Sequence, residues 1–215
     1  CRRHLRQSGS DGGMMRLYHA PASPFVRKVM LLLHEVGSSD LVTLVPASGT
    51  PLDPGTMPVD RNPLGKIAAL ERADGPTLYD SRVITRNLDE TLRAGLYPSA
   101  LRLWDTLVLE ATADGIADAE ILMRYEDYVR PKASRSPVWT TAQWQKVTRA
   151  LDAVEGRWMS HVAGPLDMGQ IALGAALGYL DYRHVGRDWR ATRPALAAWW
   201  AAFSERPSLR LTMPV

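Results

Sequence analysis

The sequence has a single cysteine, and it is the first residue. Cys1 lies in the stretch 1–13, which has no apolar periodicity and no initiator methionine. We interpret residues 1–13 as a tag or a disordered extension and exclude them from the fold. The rest of the chain then has no thiol, which excludes disulfides, cysteine metal sites and a cysteine nucleophile. Any chemistry of sulfur must use a thiol brought in by another molecule.

An excess of charge and a metal-ligand pattern are also missing. The formal net charge is +3, but without residues 1–13 there are 23 basic and 22 acidic residues. This balance does not indicate a nucleic-acid-binding or membrane-binding surface. No metal is expected, because the four histidines of residues 14–215 show no spacing typical of ligands. These histidines are His19, His34, His161 and His184.

The sequence has no long hydrophobic run either. The longest, 171–180, has about half of the roughly 20 residues that cross a bilayer. Gly174 and Gly178 within it have the spacing of a membrane dimer motif, but a buried helix with close neighbours is favoured. No signal peptide is recognisable, so we expect a cytoplasmic protein.

Residues 14–94 are predicted to form an α/β domain. Pro24 begins a predicted helix and Gly37 follows its end, in the usual asymmetric arrangement. Ala-Asp-Gly-Pro at 73–76 predicts a hairpin turn. The predicted strands are 15–19, 41–45, 67–70 and 77–79, and the predicted helices are 24–36 and 81–93. This order of elements resembles the thioredoxin fold.

Residues 95–215 are predicted to form an all-α domain. All seven tryptophans lie between 104 and 200, and the alternation typical of strands is missing. Asp167 and Gln170 predict a capping box at the start of one helix. The predicted helices are 100–129, 137–161, 168–185 and 194–204.

Ser23 occupies the predicted N-cap of the first helix, before Pro24. A helix cap alone accounts for a serine here and stabilises by about 1 kcal/mol. The alternative is that its hydroxyl donates a hydrogen bond to a bound thiolate, at the helix end that favours anions. No His and Asp spacing around Ser23 suggests a hydrolase triad.

The segment Ser-Pro-Phe-Val-Arg-Lys-Val at 23–29 is similar to the first-helix motif of soluble glutathione transferases that use serine, as in the tau class and related bacterial enzymes. Asn-Pro-Leu-Gly-Lys-Ile at 62–67 and the acidic-Ser pair Asp80 and Ser81 resemble two further motifs of that family. The resemblance covers residues 15–213. It implies a thioredoxin-like glutathione-binding domain followed by an all-helical domain.

The resemblance also implies roles for individual residues. Ser23 would stabilise the glutathione thiolate, and Asp80 and Ser81 would hold the γ-glutamyl end. Ile67 would pair with the cysteinyl part through its main chain. The family has a cis proline after this position, where this sequence has Ala68. A cis bond before a residue other than proline costs about 2.5 to 4 kcal/mol, so we expect a trans bond or a mixture.

Three acids recur every four residues in the first long helix of the second domain. Glu110, Asp114 and Asp118 lie on one predicted face beside Gly115, an arrangement that disfavours an isolated helix. They could pair with arginines of another helix or subunit. Asp114 could instead border the active cleft, where the resembled family has the middle of this helix.

The resemblance implies a glutathione transferase that adds glutathione to an electrophilic small molecule. Ala22, Phe25 and Asp114 would line the acceptor pocket, and the protein would be a homodimer. Two alternatives stay open. One is a binding or scaffold protein of the same fold with weak catalysis, which Ala68 favours. The other is a glutathione-dependent isomerase or dehalogenase.

Overall fold

The computed structural model describes residues 14–99 and 101–214. The interpretation of residues 1–13 as a tag lies outside the described residues. Within these residues, no helix is both long and apolar enough to cross a membrane.

A three-stranded sheet with two helices forms the first part of the chain. The strands are β1 (Met15–His19), β2 (Val42–Pro46) and β3 (Ala69–Glu71), in the order β2-β1-β3. The central strand β1 is parallel to β2 and antiparallel to β3. The helices are α1 (Pro24–Glu35) and α2 (Ser81–Leu92). The predicted βαβ unit and its helix start are confirmed.

The predicted hairpin is shorter than the sequence suggests. Its second strand, expected at 77–79, is a single bridge in which the main chains of Leu70 and Leu78 exchange two hydrogen bonds of 2.9 Å. Asp80 already serves as the N-cap of α2, so few residues remain to continue the pairing.

The second part of the chain is helical, as expected. Its helices are α3 (Leu101–Val129), α4 (Pro137–Ala153), α5 (Met159–Val162), α6 (Met168–Arg183), α7 (Pro194–Phe203) and α8 (Pro207–Leu211). α6 packs along α3 and also against α1, so it joins the two parts of the molecule. The predicted capping box of α6 is confirmed, since Asp167 and Gln170 each bond the other's main chain.

Side chains from other elements pack closely against two glycines of α6. A Cβ atom at Gly174 would lie 2.8 Å from Phe203, and one at Gly178 would lie 1.9 Å from Arg27. These positions are filled from other elements of the same chain. The interpretation of this run as a buried helix is therefore confirmed.

The predicted helix 137–161 is wrong in one respect. A π-helical turn, Val154–Trp158, separates α4 from α5. The carboxylate of Glu155 in this turn accepts hydrogen bonds from Ala195 N (3.0 Å) and Leu196 N (2.7 Å) at the start of α7. The turn thus places the Glu155 carboxylate against the start of α7. The local sequence does not reveal this contact. The short helix α8 was also not predicted.

Candidate functional site

The first turn of α1 presents Ser23 as its N-cap. The Ser23 backbone is extended, and its Oγ accepts a hydrogen bond from the Val26 N–H at 3.3 Å. That bond uses an acceptor lone pair, so the hydroxyl hydrogen can still be donated to a ligand. Ser23 is half-buried, like its neighbours Ala22 and Phe25. A hydroxyl donor therefore sits at the positive end of a twelve-residue helix.

The start of α2 carries the predicted acidic-Ser pair. Asp80 is the N-cap, and its Oδ1 accepts from the Arg82 N–H at 3.0 Å. The Arg82 guanidinium lies 2.7 Å from Oδ2. Burial disfavours the charged form of Asp80, but the hydrogen bonds and charge of Arg82 outweigh it and lower the pKa. Ser81 follows in the first turn and is buried.

The loop before β3 is held by its own side chains. Asn62 Nδ2 donates to the Lys66 carbonyl at 2.8 Å, and Asn62 Oδ1 accepts from the Leu64 N–H at 3.1 Å. Gly65 has a φ of +60°, in the left-handed region that favours glycine. This arrangement turns the chain into Ile67, which is half-buried and precedes β3.

The Ile67–Ala68 peptide bond is cis. The expectation of a trans bond or a mixture was therefore wrong. It rested on the intrinsic preference of one peptide bond and took no account of the loop that contains it. A second cis bond, Tyr79–Asp80, was not expected from the sequence.

Strand register brings the three predicted segments to one end of the sheet. Tyr18 near the end of β1 pairs with Ala69 at the start of antiparallel β3, so Ile67 lies beyond that end of β1. The bridge between Leu70 and Leu78 runs antiparallel as well, which places Asp80 and its helix start at the same end. Ser23 follows β1 there after a short turn.

The helix that Ser23 caps also carries a buried lysine. Lys28 of α1 is 1% exposed, and its Nζ lies 3.0 Å from Glu110 Oε1 and 2.8 Å from Asp114 Oδ1. Arg82 Nε lies 3.8 Å from Asp114. The acidic face of α3 is thus partly paired with a lysine of the first domain rather than only with arginines. Asp114 is buried, and Asp118 is exposed.

Hydrogen bonds continue from this lysine to the start of α2. Tyr97 OH donates to Glu110 at 2.9 Å and accepts from Thr85 Oγ1 at 2.8 Å, and Thr85 Oγ1 also lies 2.8 Å from the Ser81 carbonyl oxygen. Burial and then the charge of Glu110 raise the pKa of Tyr97. Burial also raises the pKa of Glu110, although Lys28 opposes it. A continuous network therefore connects α1, α3 and α2.

Lys28, Arg82 and Tyr97 were not predicted from the sequence. A signal existed for Lys28, because at helical spacing it shares an apolar face of α1 with Leu31 and Leu32, which are both buried. Arg82 and Tyr97 had no comparable pattern. Among the residues that the structure describes, no three His, Cys, Asp or Glu side chains are grouped as metal ligands.

Comparison with protein families gives two matches. Residues 22–91 match the glutathione S-transferase N-terminal domain, and residues 137–202 match the glutathione S-transferase C-terminal domain. The first match contains Ser23, Ile67, Asp80 and Ser81.

Individual proteins are similar over nearly the whole chain. A glutathione transferase family member from Pseudomonas fluorescens Pf-5, solved with bound glutathione, is 42% identical with a TM-score of 0.91, covering 94% of this chain and 99% of its own. A glutathione S-transferase from Methylobacillus flagellatus KT, solved with glutathione bound, is 33% identical with a TM-score of 0.80, covering 94% and 100%. The uncharacterized GST-like protein YibF of Escherichia coli K12 is 31% identical over 204 residues, covering 93% of this chain and 98% of its own.

Proposed function

The chain belongs to the glutathione transferase family, and we propose that it binds glutathione and transfers it to an electrophilic small molecule. The observation that carries the proposal is the Ser23 hydroxyl, which caps α1 with its hydrogen available to a ligand. Ile67 and the start of α2 lie at the same end of the sheet. The glutathione-bound Pseudomonas relative, at 42% identity, supports the choice of ligand.

Ser23 acts as a thiolate stabiliser in this proposal. A free thiol with a pKa near 8.5 is mostly protonated at neutral pH, and lowering the pKa by about two units needs roughly 2.7 kcal/mol. A hydrogen bond to a charged group contributes about 1.5 to 3 kcal/mol, and the helix end adds to it. The thiol proton passes to solvent. The thiolate sulfur then bonds to the electrophilic carbon, whose leaving group departs with its bonding electrons.

The remaining contacts orient the peptide. Ser81 and the positive helix end at the start of α2 suit the γ-glutamyl carboxylate, and the ionised Asp80 suits the ammonium group. Ile67 offers main-chain N–H and C=O groups to the cysteinyl part. Ala22 and Phe25, with the exposed face of α3 beside Asp114, border the acceptor. Asp114 itself is held by Lys28, so its contribution there is to fix α3.

The protein acts as a homodimer in this proposal. Leu101, Trp104 and Val108 of α3 are 91%, 70% and 51% exposed, and with the exposed Ala111 they form an apolar stripe at helical spacing in the first half of the helix. An exposed apolar stripe on a helix is typical of an interaction surface. A second copy of the chain would cover it.

The test compares two serine caps. Ser23→Ala is expected to reduce conjugation of glutathione with a chlorinated aromatic acceptor at least about tenfold, because the thiol pKa would rise by about one unit or more. Ser136→Ala is the matched control, since Ser136 caps α4 with a similar bond to Trp139 N at 3.2 Å. It should lose similar stability, about 1 kcal/mol, and keep its activity.

Calorimetry with glutathione accompanies the kinetic measurement. Binding that is undetectable at millimolar glutathione would reject the proposed ligand. Tight binding with the same turnover in wild type and Ser23→Ala would remove Ser23 from the mechanism. Tight binding without turnover on any acceptor would favour a binding protein of this fold.

A further inference from the structure

Arg27 ties α1 to the C-terminal end of the chain. Its side chain is buried, although it carries a charge. The Nε atom donates to Thr212 Oγ1 at 3.3 Å, and one terminal nitrogen, Nη2, donates to the Leu209 carbonyl at 2.9 Å. Leu209 lies in α8 and Thr212 directly follows it. One guanidinium therefore connects the first domain with the last element of the second.

The other terminal nitrogen of Arg27 lies against the backbone of α6. This Nη1 atom is buried and has no hydrogen-bond partner among the described residues. A Cβ atom at Gly178 would lie only 1.9 Å from it, so the side chain fits because position 178 is glycine. Burial lowers the pKa of Arg27 to about 10, although Asp181 opposes this effect.

This arrangement is unfavourable for stability alone. A buried donor without a partner is destabilising, and so is a buried charge that is only partly compensated. Unsatisfied buried groups in a native structure need a specific explanation, and broken local rules often mark functional sites.

Two clefts flank Arg27 where it meets the C-terminal segment. A cleft of about 380 Å³ lies on one side of Arg27, between α1, β2 and the tail. A second cleft of about 410 Å³ lies on the other side, beside α6 and α7. Arg27 and Met213 line both clefts. The guanidinium thus connects α1 with the C-terminal segment between two open spaces.

The backbone of the same residue holds the candidate catalytic serine. The Arg27 N–H donates to the Ser23 carbonyl at 2.9 Å, the bond that closes the first turn of α1. The main chain of Arg27 is therefore hydrogen-bonded directly to the N-cap residue. We propose that Arg27 is a positioning residue, whose anchored side chain fixes the first turn of α1 and so aims the Ser23 hydroxyl at the glutathione sulfur. This inference rests on the proposed function of Ser23.

Two variants release the tether by different routes. Arg27→Met keeps an apolar stem and removes the guanidinium. Gly178→Ala leaves Arg27 in the chain and pushes it from its position on α6. Both should raise the thiol pKa of bound glutathione, measured by ultraviolet absorbance of the thiolate against pH, by about half a unit to one unit. Below that pKa, kcat should fall about threefold to tenfold, while KM for glutathione changes less than about twofold.

Two further variants separate positioning from general stability. Arg206→Met weakens the contacts at the far end of α1, where Glu35 accepts hydrogen bonds from Arg206 at 2.9 and 2.6 Å and also from Ser208. It should lower the unfolding midpoint without moving the thiol pKa. Arg27→Lys keeps one donor for the Leu209 carbonyl and should recover part of the shift.

The outcomes separate this inference from the proposed function. If Ser23→Ala raises the thiol pKa but Arg27→Met and Gly178→Ala do not, Arg27 has no positioning role and the function of Ser23 stands. If Ser23→Ala itself leaves the thiol pKa unchanged, Ser23 has no part in the mechanism and the role of Arg27 fails with it, whereas undetectable glutathione binding would reject the proposed function. Should Arg27→Met not fold, Gly178→Ala decides the matter. A shift of equal size in Arg206→Met would mean that loss of stability, and not the tether, is responsible.

Discussion

Glu120 of α3 has a completely buried carboxyl group. Neither of its carboxyl oxygens has a hydrogen-bond partner among the described residues. Burial and then the nearby charge of Asp181 raise its pKa well above the ordinary value. An acid whose pKa is higher in the folded state destabilises that state as the pH rises from the unfolded pKa to the folded pKa. The loss is about 1.4 kcal/mol per pH unit over that range.

Glu120→Gln is therefore expected to flatten the dependence of stability on pH. The free energy of unfolding of the wild type should fall from pH 5 to pH 8 more steeply than that of the variant, because glutamine cannot ionise. Urea denaturation at both pH values measures the difference. Glu126→Gln is the control, since Glu126 is also buried but accepts from Arg130 and Ser136. It should lose about 1 to 3 kcal/mol at both pH values. Parallel pH curves for wild type and Glu120→Gln would contradict the prediction.

The residues of the candidate site differ in how well the local sequence predicts their positions. The local sequence predicts the two helix starts that contain Ser23, Asp80 and Ser81. In the structure, Ser23 and Asp80 are the N-cap residues of these helices. Lys28 is different, because its partner Glu110 lies 82 positions away. The apolar face of α1 indicates that Lys28 is buried, but only the packed fold can say which acids it meets.

At the scale of elements, Glu155 provides a cap for α7 from another helix. The N-cap of α7, Arg193, has no side-chain cap bond, and Glu155 accepts from Ala195 and Leu196 instead. A carboxylate that takes two N–H groups at a positive helix end is a strong partner. The π-helical turn that interrupts the helix before α5 delivers this carboxylate.

Glu155→Ala should lower the free energy of unfolding by about 1.5 to 3 kcal/mol, because two N–H groups of α7 lose a charged acceptor. Arg157→Ala is the matched control in the same turn, where Arg157 is exposed. It should change stability by less than about 0.5 kcal/mol. Denaturant titration measures both variants. Equal losses would mean that the turn, and not the carboxylate, stabilises α7.

Elements with signals at both ends were predicted closely. α1 has Ser23 and Pro24 at its start and Gly37 after its end, and the structure ends it at Glu35. Elements whose positions depend on contacts with distant residues were not predicted. The π-helical turn depends on α7, and α8 is held by contacts of Arg27 and Glu35 in α1. These partners lie far away in the sequence, so the residues around each element do not reveal them.

At the scale of the whole molecule, buried charges join the two parts of the chain. Lys28 meets Glu110 and Asp114 in one place, and Arg27 reaches Leu209 and Thr212 in another. Both basic residues come from α1, which carries Ser23 at its start. Buried charges need accurate geometry of their partners to offset desolvation. The helical domain supplies these partners for both basic residues of α1.

The proposed homodimer gives the last prediction. Trp104→Glu places a charge within the apolar stripe of α3, where a tryptophan that anchors an interface typically contributes at least about 2 kcal/mol to association. The dimer dissociation constant should rise by about thirtyfold or more. Sedimentation velocity over a range of protein concentrations measures it. Val185→Glu is the control, because Val185 is 82% exposed but lies beyond the end of α6. A monomeric wild type, or the same dissociation constant in Trp104→Glu and Val185→Glu, would show that the stripe of α3 does not hold two copies together.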